Sequence, residues 1–212
     1  MRIIDLTKAN LDEAYEEAAE VLRSGRLVAY PTESYYAVGA DAMNMRAVRE
    51  VFTAKKRGPG KPLPVIAGDI GQIDELTAFL SDEAKKAVLE LMPGPVTLIF
   101  YAAEDLPEVL TAKTRKIGIR VPKHEVASRL ALTFGGPVTA TSANISGSPG
   151  LTDAKEVAAA FAHSIDLVLD GGATHGAPVS TILDMTVSPP YLVREGALSK
   201  DIIRRVFPGI KP

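Results

Sequence analysis

The chain has 212 residues, of which 46% are apolar and 24% are charged, the balance of a globular protein that can bury one continuous core. Its 24 basic and 26 acidic residues give a net charge of -2, which excludes attraction to nucleic acid or membranes through overall charge alone. The absence of cysteine excludes disulfides, thiolate nucleophiles and cysteine-bound metals. The N-terminal sequence turns acidic where a signal peptide needs an apolar run, and no apolar stretch reaches about 18 residues. We therefore expect a cytoplasmic protein.

Strand-like and helix-like segments alternate along the chain. Asn10 and Glu13 form a capping-box signal for a first helix, and Gly25 is a typical residue to follow its end. The predicted strands are residues 2–6, 27–30, 63–67, 96–102, 117–121, 137–141, 166–170, 179–185 and 191–195. The predicted helices are residues 11–24, 45–57, 82–92, 125–134, 153–162 and 199–206. The late strands lie too close together for helical crossovers, so we expect a single α/β domain, residues 1–212, with a mixed sheet and flanking helices.

Two early segments place polar or basic residues at the ends of predicted elements, where ligands of open α/β sheets bind. Residues 31–39 include Ser34 and other hydroxyls, which could bind a small polar ligand or could satisfy their own turn. Residues 55–63 carry Lys55, Arg57 and Lys61 around two glycines and two prolines. They could hold a polyphosphate or could be the solvated basic end of a helix.

Two later segments have the same character. Arg120 lies in an apolar strand and needs an anionic partner, which could be a ligand or a carboxylate of the chain. Residues 139–147 combine small hydroxyl and amide side chains, a composition that suits a ligand site and is also common in plain loops. The motifs GxSxG, SxxK, HExxH and GxGxxG are absent. The pattern therefore favours a cleft that aligns its reactants and neutralises phosphate charge.

Seven successive segments resemble the signatures of the YrdC-like family, the L-threonylcarbamoyladenylate synthases. They are PTESYYAVG, AKKRGPGKPL, MPGPVTL, IGIRVPKH, PVTATSANISG, VSTILD and LVREGA, within roughly residues 12–200. The resemblance implies a twisted α/β sheet with a basic concave face, without the C-terminal extension domain of longer members. It also implies that ATP, bicarbonate and L-threonine give threonylcarbamoyl-AMP and pyrophosphate. This product serves the N6-threonylcarbamoyl modification of adenosine 37 in tRNA.

The resemblance also implies roles for individual residues. The family's basic pair corresponds to Lys55 and Arg57, which we predict to be catalytic. The residues predicted to bind ATP are Arg57, Lys61, Lys116, Asn144 and Arg194. Those predicted to bind threonine are Ser34, Arg120, Ser142 and Ser180. We expect Mg²⁺ to arrive with ATP and to be carried largely by the triphosphate, with Glu33 and Asp170 as acidic candidates near it.

Two other functions stay open. The related YciO-like branch shares the first motif but lacks the S-x-N pair formed here by Ser142 and Asn144, and it would hydrolyse the adenylate. A non-catalytic accessory protein would bind RNA on the basic concave face. For the synthase, the expected partners are ATP, L-threonine, bicarbonate and the downstream tRNA threonylcarbamoyl-transfer machinery. Weak binding of tRNA or other RNA is also expected, and no membrane is involved.

Overall fold

The computed structural model describes residues 1–58, 60–176 and 178–211. The strands in this part of the chain are β1 (Arg2–Asp5), β2 (Val28–Pro31), β3 (Tyr36–Gly39), β4 (Val65–Ile66), β5 (Val96–Tyr101), β6 (Lys116–Arg120), β7 (Val138–Thr139), β8 (Thr141–Ser142), β9 (Leu167–Asp170), β10 (Thr181–Asp184) and β11 (Tyr191–Arg194). The helices are α1 (Leu11–Arg23), α2 (Met45–Ala54), α3 (Ile73–Leu76), α4 (Asp82–Leu91), α5 (Glu108–Thr111), α6 (Glu125–Phe134), α7 (Ala154–Ala160) and α8 (Lys200–Val206). No helix in these described ranges is both long and apolar enough to cross a membrane.

The mixed α/β class is confirmed, but the strands form two sheets rather than one. The first sheet has the order β1-β9-β2-β3-β8 and the second the order β11-β10-β5-β6-β4-β7. Each sheet combines parallel and antiparallel pairs. The division occurs within residues 137–141, which the sequence predicts as one strand. There β7 pairs with β4 and β8 pairs with β3, so the chain passes from the second sheet to the first at Ala140.

The central strands of the first sheet, β9, β2 and β3, are buried on both faces, which explains why β3 escaped the sequence prediction. Val28 and Leu167 belong to an apolar cluster with residues of α1 and α6. Their chain neighbours Ala29 and Val168 point to the other face and join the larger cluster. A strand buried on both faces lacks the polar alternation that marks a half-exposed one. All four residues of β3 are buried, and the sequence shows only a motif there.

Four of the longer helices, α1, α2, α4 and α7, begin within one residue of the predicted start, because their caps are local. The side chains of Asn10, Asn44, Ser81 and Asp153 each accept hydrogen bonds from backbone N–H groups of the first helical turn. The short helices α3 and α5 were not predicted, because a single turn of four residues leaves no periodic pattern to detect.

Candidate active site

A cleft made of two adjoining hollows lies where the two sheets meet. The first hollow has a volume of about 540 Å³ and is lined by residues of β3 and β8 from the first sheet and of β4, β5, β6 and β10 from the second. The second hollow, of about 520 Å³, lies beside the basic segment that follows α2. Arg57, Thr141 and Ser142 line both hollows, so the two hollows adjoin at these residues.

Alternation along β6 builds the floor of the first hollow. Lys116, Gly118 and Arg120 line the hollow, whereas Ile117 and Ile119 are buried in the core. At Gly118 a Cβ atom would lie 3.2 Å from Cγ2 of Thr97 on the neighbouring strand. Glycine therefore leaves space in this part of the hollow that a side chain would fill. The prediction that Arg120 points away from its apolar neighbours is confirmed.

The two cations of β6 each have a carboxylate partner. Nη2 of Arg120 lies 2.6 Å from Oε2 of Glu33, and Nζ of Lys116 lies 2.9 Å from Oδ2 of Asp184. Burial acts to raise the pKa of Asp184, but hydrogen bonds from Thr186 and Lys116 outweigh it and the pKa is lowered. Of the two partners that the sequence left open for Arg120, the structure shows a carboxylate of the chain.

Two arginines of the first hollow are held by backbone carbonyls instead. Nη2 of Arg57 donates to the carbonyl oxygens of Lys61 (3.3 Å) and Pro62 (3.0 Å). Nη2 and Nε of Arg194 both donate to the carbonyl oxygen of Ser180, at 2.7 and 3.2 Å. Burial lowers the pKa of both arginines, although a guanidinium keeps its charge near neutral pH. Neither arginine has a carboxylate partner within the described ranges.

Lys55 is buried beneath the segment that begins with β8, and the residue is 2% exposed. Its Nζ donates to the carbonyl oxygens of Ser142 and Asn144 and to Oδ1 of Asn144, the last two at 2.9 and 3.0 Å. Burial first, and then the nearby charge of Arg57, lower the pKa of Lys55 to about 8. All three ammonium hydrogens therefore hold the 142–144 segment, and the catalytic role stays a prediction.

Asn144 is fully engaged within the same segment. Its Oδ1 also accepts from Oγ of Ser142 at 2.6 Å, and its Nδ2 donates to the carbonyl oxygens of Ile145 (3.0 Å) and Ser148 (2.7 Å). A nucleotide that bound Asn144 would have to replace one of these bonds. The predicted contact between Asn144 and ATP therefore stays a prediction.

Some hydroxyl groups of the cleft bond to nearby backbone carbonyls, and others pair with each other across strands. Oγ1 of Thr32 donates to the carbonyl oxygen of Tyr35 at 2.6 Å, and the Tyr36 hydroxyl donates to that of Gly172 at 2.8 Å. These two hydroxyls form hydrogen bonds within the protein itself, as the alternative interpretation of residues 31–39 predicts. The hydroxyl of Ser180 lies 3.1 Å from that of Thr97, so a pair of hydroxyls spans β5 and the start of β10.

The structure brings all ten predicted site residues to the cleft. The first hollow is lined by Ser34, Arg57, Lys116, Arg120, Ser142, Ser180 and Arg194. The second hollow is lined by Lys55, Arg57, Lys61, Ser142 and Asn144. Sequence reasoning missed Thr97, Gly118 and the partner Asp184, and considered Glu33 only for metal binding. The alternation of β6 could have indicated Gly118, but no local signal joins Lys116 to Asp184, 68 residues away.

Comparison with known proteins gives consistent matches over most of the chain. The family profile of Sua5, YciO and YrdC, described as "Telomere recombination", matches residues 20–196. Threonylcarbamoyl-AMP synthase of Pyrococcus abyssi is 37% identical over 207 residues, which cover 95% of this chain and 61% of the relative. This chain thus spans about three fifths of the length of that relative.

Solved structures agree with the sequence matches. The structure of P. abyssi Sua5 complexed with L-threonine has a TM-score of 0.91 and 35% identity, and covers 100% of this chain and 62% of that protein. The structure of E. coli YciO has a TM-score of 0.81 and 27% identity, and covers 92% of this chain and 95% of that protein. With its fold, its cleft and 177 matched positions in agreement (residues 20–196), the chain belongs to the Sua5/YciO/YrdC family.

Proposed function

We propose that this protein synthesises threonylcarbamoyl-AMP from L-threonine, bicarbonate and ATP, with release of pyrophosphate. The observation that carries this proposal is that the two hollows adjoin, because Arg57, Thr141 and Ser142 line both of them. A nucleotide and an amino acid bound in adjoining hollows would meet at these residues. The name of the P. abyssi relative and the L-threonine in its solved structure support the same activity.

The second hollow suits the triphosphate. Its described lining contains Lys55, Arg57 and Lys61, small residues that allow close approach, and no carboxylate. Arg57 can offer a phosphate the planar, two-pronged donor set that lysine lacks. We therefore place the phosphates between Arg57 and Lys61, with the 142–144 segment on the opposite wall.

The first hollow suits threonine and the nucleoside. Hydroxyls of Ser34 and Ser180 and the guanidinium of Arg120 line it, and its volume is in the range of small-molecule sites. A zwitterionic amino acid needs donors for its carboxylate and acceptors for its amine and hydroxyl, and this lining provides both. We therefore place the threonine carboxylate at Arg120.

The reaction asks the protein for alignment and charge neutralisation. The threonine amine combines with bicarbonate to give a carbamate and water. A carbamate oxygen then forms a bond to the α-phosphorus of ATP, and the bond from that phosphorus to the leaving pyrophosphate oxygen breaks. Arg57 borders both hollows and offsets the charge that shifts onto the phosphate oxygens. Lys55 contributes by holding the 142–144 segment.

The described residues do not form a site for Mg²⁺. No group of three acidic or histidine side chains suited to a metal ion occurs in the described ranges. Of the two acidic candidates from the sequence, Glu33 is paired with Arg120, and Asp170 accepts hydrogen bonds from Tyr36 and Gly172. In our proposal Mg²⁺ binds the triphosphate itself, and we derive no step through a metal held by the protein.

A YciO-like hydrolase is the second candidate, and the structural match to E. coli YciO supports considering it. The hydrogen-bonded pair of Ser142 and Asn144 supports the synthase, since the branch is expected to lack that pair. The proposal further includes a cytoplasmic location, where ATP and tRNA are available, and passage of the product to a tRNA-modifying partner. An RNA-binding accessory role is the third candidate.

Pyrophosphate release distinguishes the three candidates. The purified protein is incubated with ATP, bicarbonate and L-threonine, and each component is omitted in turn. Release that requires threonine, with threonylcarbamoyl-AMP detected by mass spectrometry, is the expected result. Conversion of added threonylcarbamoyl-AMP to AMP with negligible synthesis would favour the hydrolase. Tight, salt-sensitive RNA binding without pyrophosphate release would favour the accessory protein.

A further inference from the structure

Arg120 is held from two directions at the wall of the first hollow. Its Nε donates to the carbonyl oxygen of Gly94 at 3.1 Å, and its Nη2 lies 2.6 Å from Oε2 of Glu33. The Arg120 side chain is only 12% exposed, so water screens its charge weakly. An arginine has a long, flexible side chain, and these two contacts restrict how its guanidinium can turn.

Glu33 is itself fixed, and it lies outside the hollow. Its Oε1 accepts a hydrogen bond from the backbone N–H of Lys123 at 3.1 Å. Among the described residues, Ser34 and Arg120 line the first hollow and Glu33 does not. The carboxylate of Glu33 therefore does not fill the space that a ligand would occupy, and a ligand need not displace it.

The contact between the two side chains is an ion pair rather than an aligned hydrogen bond. Nη2 of Arg120 and Oε2 of Glu33 are both buried, and neither has a hydrogen-bond partner of acceptable angle within the described ranges. Their attraction is chiefly coulombic. Nε of Arg120 donates to Gly94 and Nη2 is buried against Glu33, so Nη1 is the nitrogen that remains to donate to a second carboxylate.

We propose that Glu33 is a positioning residue that orients Arg120 to receive the α-carboxylate of the amino-acid substrate. This inference rests on the proposed function, because it assigns Arg120 to the threonine side of the cleft. It adds a residue that touches no reactant. Glu33 also balances the charge of Arg120. The part of the first hollow beside Arg120 can therefore donate hydrogen bonds but attracts a polyphosphate only weakly. Glu33 therefore contributes to selecting substrates that carry a carboxylate.

The test compares L-threonine with L-threoninol, in which a hydroxymethyl group replaces the carboxylate. Pyrophosphate release is measured for the wild-type protein and for Glu33→Gln at saturating ATP. We expect kcat/KM for threonine to fall about tenfold, chiefly through KM, as for the loss of one charge-assisted hydrogen bond. The preference for threonine over threoninol should fall by the same factor, while the KM for ATP stays within about twofold of the wild-type value.

Three variants control this test. Glu125→Gln makes the same carboxylate-to-amide change at an exposed residue in the first turn of α6 and should behave as the wild type. Glu33→Asp keeps the charge and should recover part of the threonine preference. Combining Glu33→Gln with Arg120→Lys should add little to Arg120→Lys alone, because lysine lacks the planar guanidinium that Glu33 is proposed to orient.

The outcomes separate this inference from the proposed function. An unchanged preference for threonine over threoninol in Glu33→Gln, with or without a lower melting temperature, would overturn the positioning role. An equal rise in KM for threonine and ATP would also overturn it. A wild-type protein without threonine-dependent pyrophosphate release would refute the proposed function instead. Calorimetric binding of threonine and threoninol to both proteins would then decide the role of Glu33 directly.

Discussion

The first hollow contains two pairs of cations whose partners differ. Lys116 and Arg120 lie on β6, and each contacts a carboxylate, at 2.9 and 2.6 Å. Arg57 follows α2 and Arg194 is the last residue of β11, and in the described structure their side chains donate hydrogen bonds only to backbone carbonyls and to the Ser180 hydroxyl. The positive charge of the β6 pair is balanced locally, whereas that of Arg57 and Arg194 is not.

This difference matches the two kinds of reactant in the proposed reaction. A cation whose charge is balanced by a carboxylate can donate hydrogen bonds but attracts distant anions only weakly. This combination suits an amino acid of zero net charge. An uncompensated cation in a partly buried site exerts a strong field, which suits a triphosphate. In our proposal, the location of formal charge in the cleft separates a phosphate region around Arg57 from an amino-acid region around Arg120.

Removing the uncompensated charge between the two hollows should have the largest effect. Arg57→Ala should lower kcat/KM by about 10²–10³-fold, the loss typical of one preorganised charge-stabilising donor. The fold should persist, because Arg57 lies in a half-exposed loop beyond α2. The measurements are pyrophosphate release and the melting temperature. Arg57→Lys, which keeps the charge without the planar fork, should recover only part of the activity, and full activity of Arg57→Ala would refute the phosphate region.

The depressed pKa of Lys55 predicts opposite responses of stability and turnover to alkaline pH. In the folded protein Lys55 loses its proton near pH 8, whereas the unfolded chain keeps it until about 10.5. The unfolded state binds more protons in this window, so the free energy of unfolding rises with pH, by at most about 3 kcal/mol. The neutral amine has only two hydrogens for the three acceptors in the 142–144 segment, so turnover should fall.

This prediction is tested with Lys55→Met. The control is Lys56→Met, which makes the same change at the exposed neighbouring residue. The ratio of wild-type to Lys55→Met turnover should fall severalfold between pH values of about 7.5 and 9.5. Using this ratio removes the effect of pH on the threonine amine itself. Urea unfolding at the same pH values measures the stability change. If the ratio of wild-type to Lys55→Met turnover stays constant with pH, Lys55 does not have the proposed holding role. The same conclusion follows if the ratio of wild-type to Lys56→Met turnover falls just as much.

The smallest effect should come from removing the carboxylate that balances the charge of Lys116. Asp184→Asn leaves Lys116 without its carboxylate and should reduce stability by about 1 kcal/mol near pH 7. The KM for ATP should fall slightly, about twofold at low salt, because the hollow gains positive charge. An increased KM for ATP would refute the charge division between the two pairs.

The acid side of the stability profile checks the same pair. Since the pKa of Asp184 is lowered below 3.8 in the folded protein, its contribution to stability is present above that value. It is lost as the pH falls through the lowered pKa. Asp184→Asn should remove this dependence, whereas Asp201→Asn, a change at an exposed carboxylate of α8, should leave it unaltered.

Much of this protein can be predicted from residues that lie close together in the sequence. The caps Asn10, Asn44 and Ser81 act within three residues, so the starts of their helices follow from local chemistry. The alternation around Arg120 likewise follows from strand geometry, and the ordered motifs identified ten of the residues that line the cleft. By contrast, β3 was missed, because burial on both faces removes the alternation on which strand prediction depends.

The sequence by itself determined the starts of the capped helices, the α/β class and ten residues of the cleft, because these depend on contacts within a few residues or on the order of motifs. Only the tertiary structure decided the division into two sheets and the partners of the cations. Lys55 holds Asn144 across 89 residues, and Glu33 reaches Lys123 across 90. Contacts at such separations depend on how strands register against one another, and no local pattern encodes that.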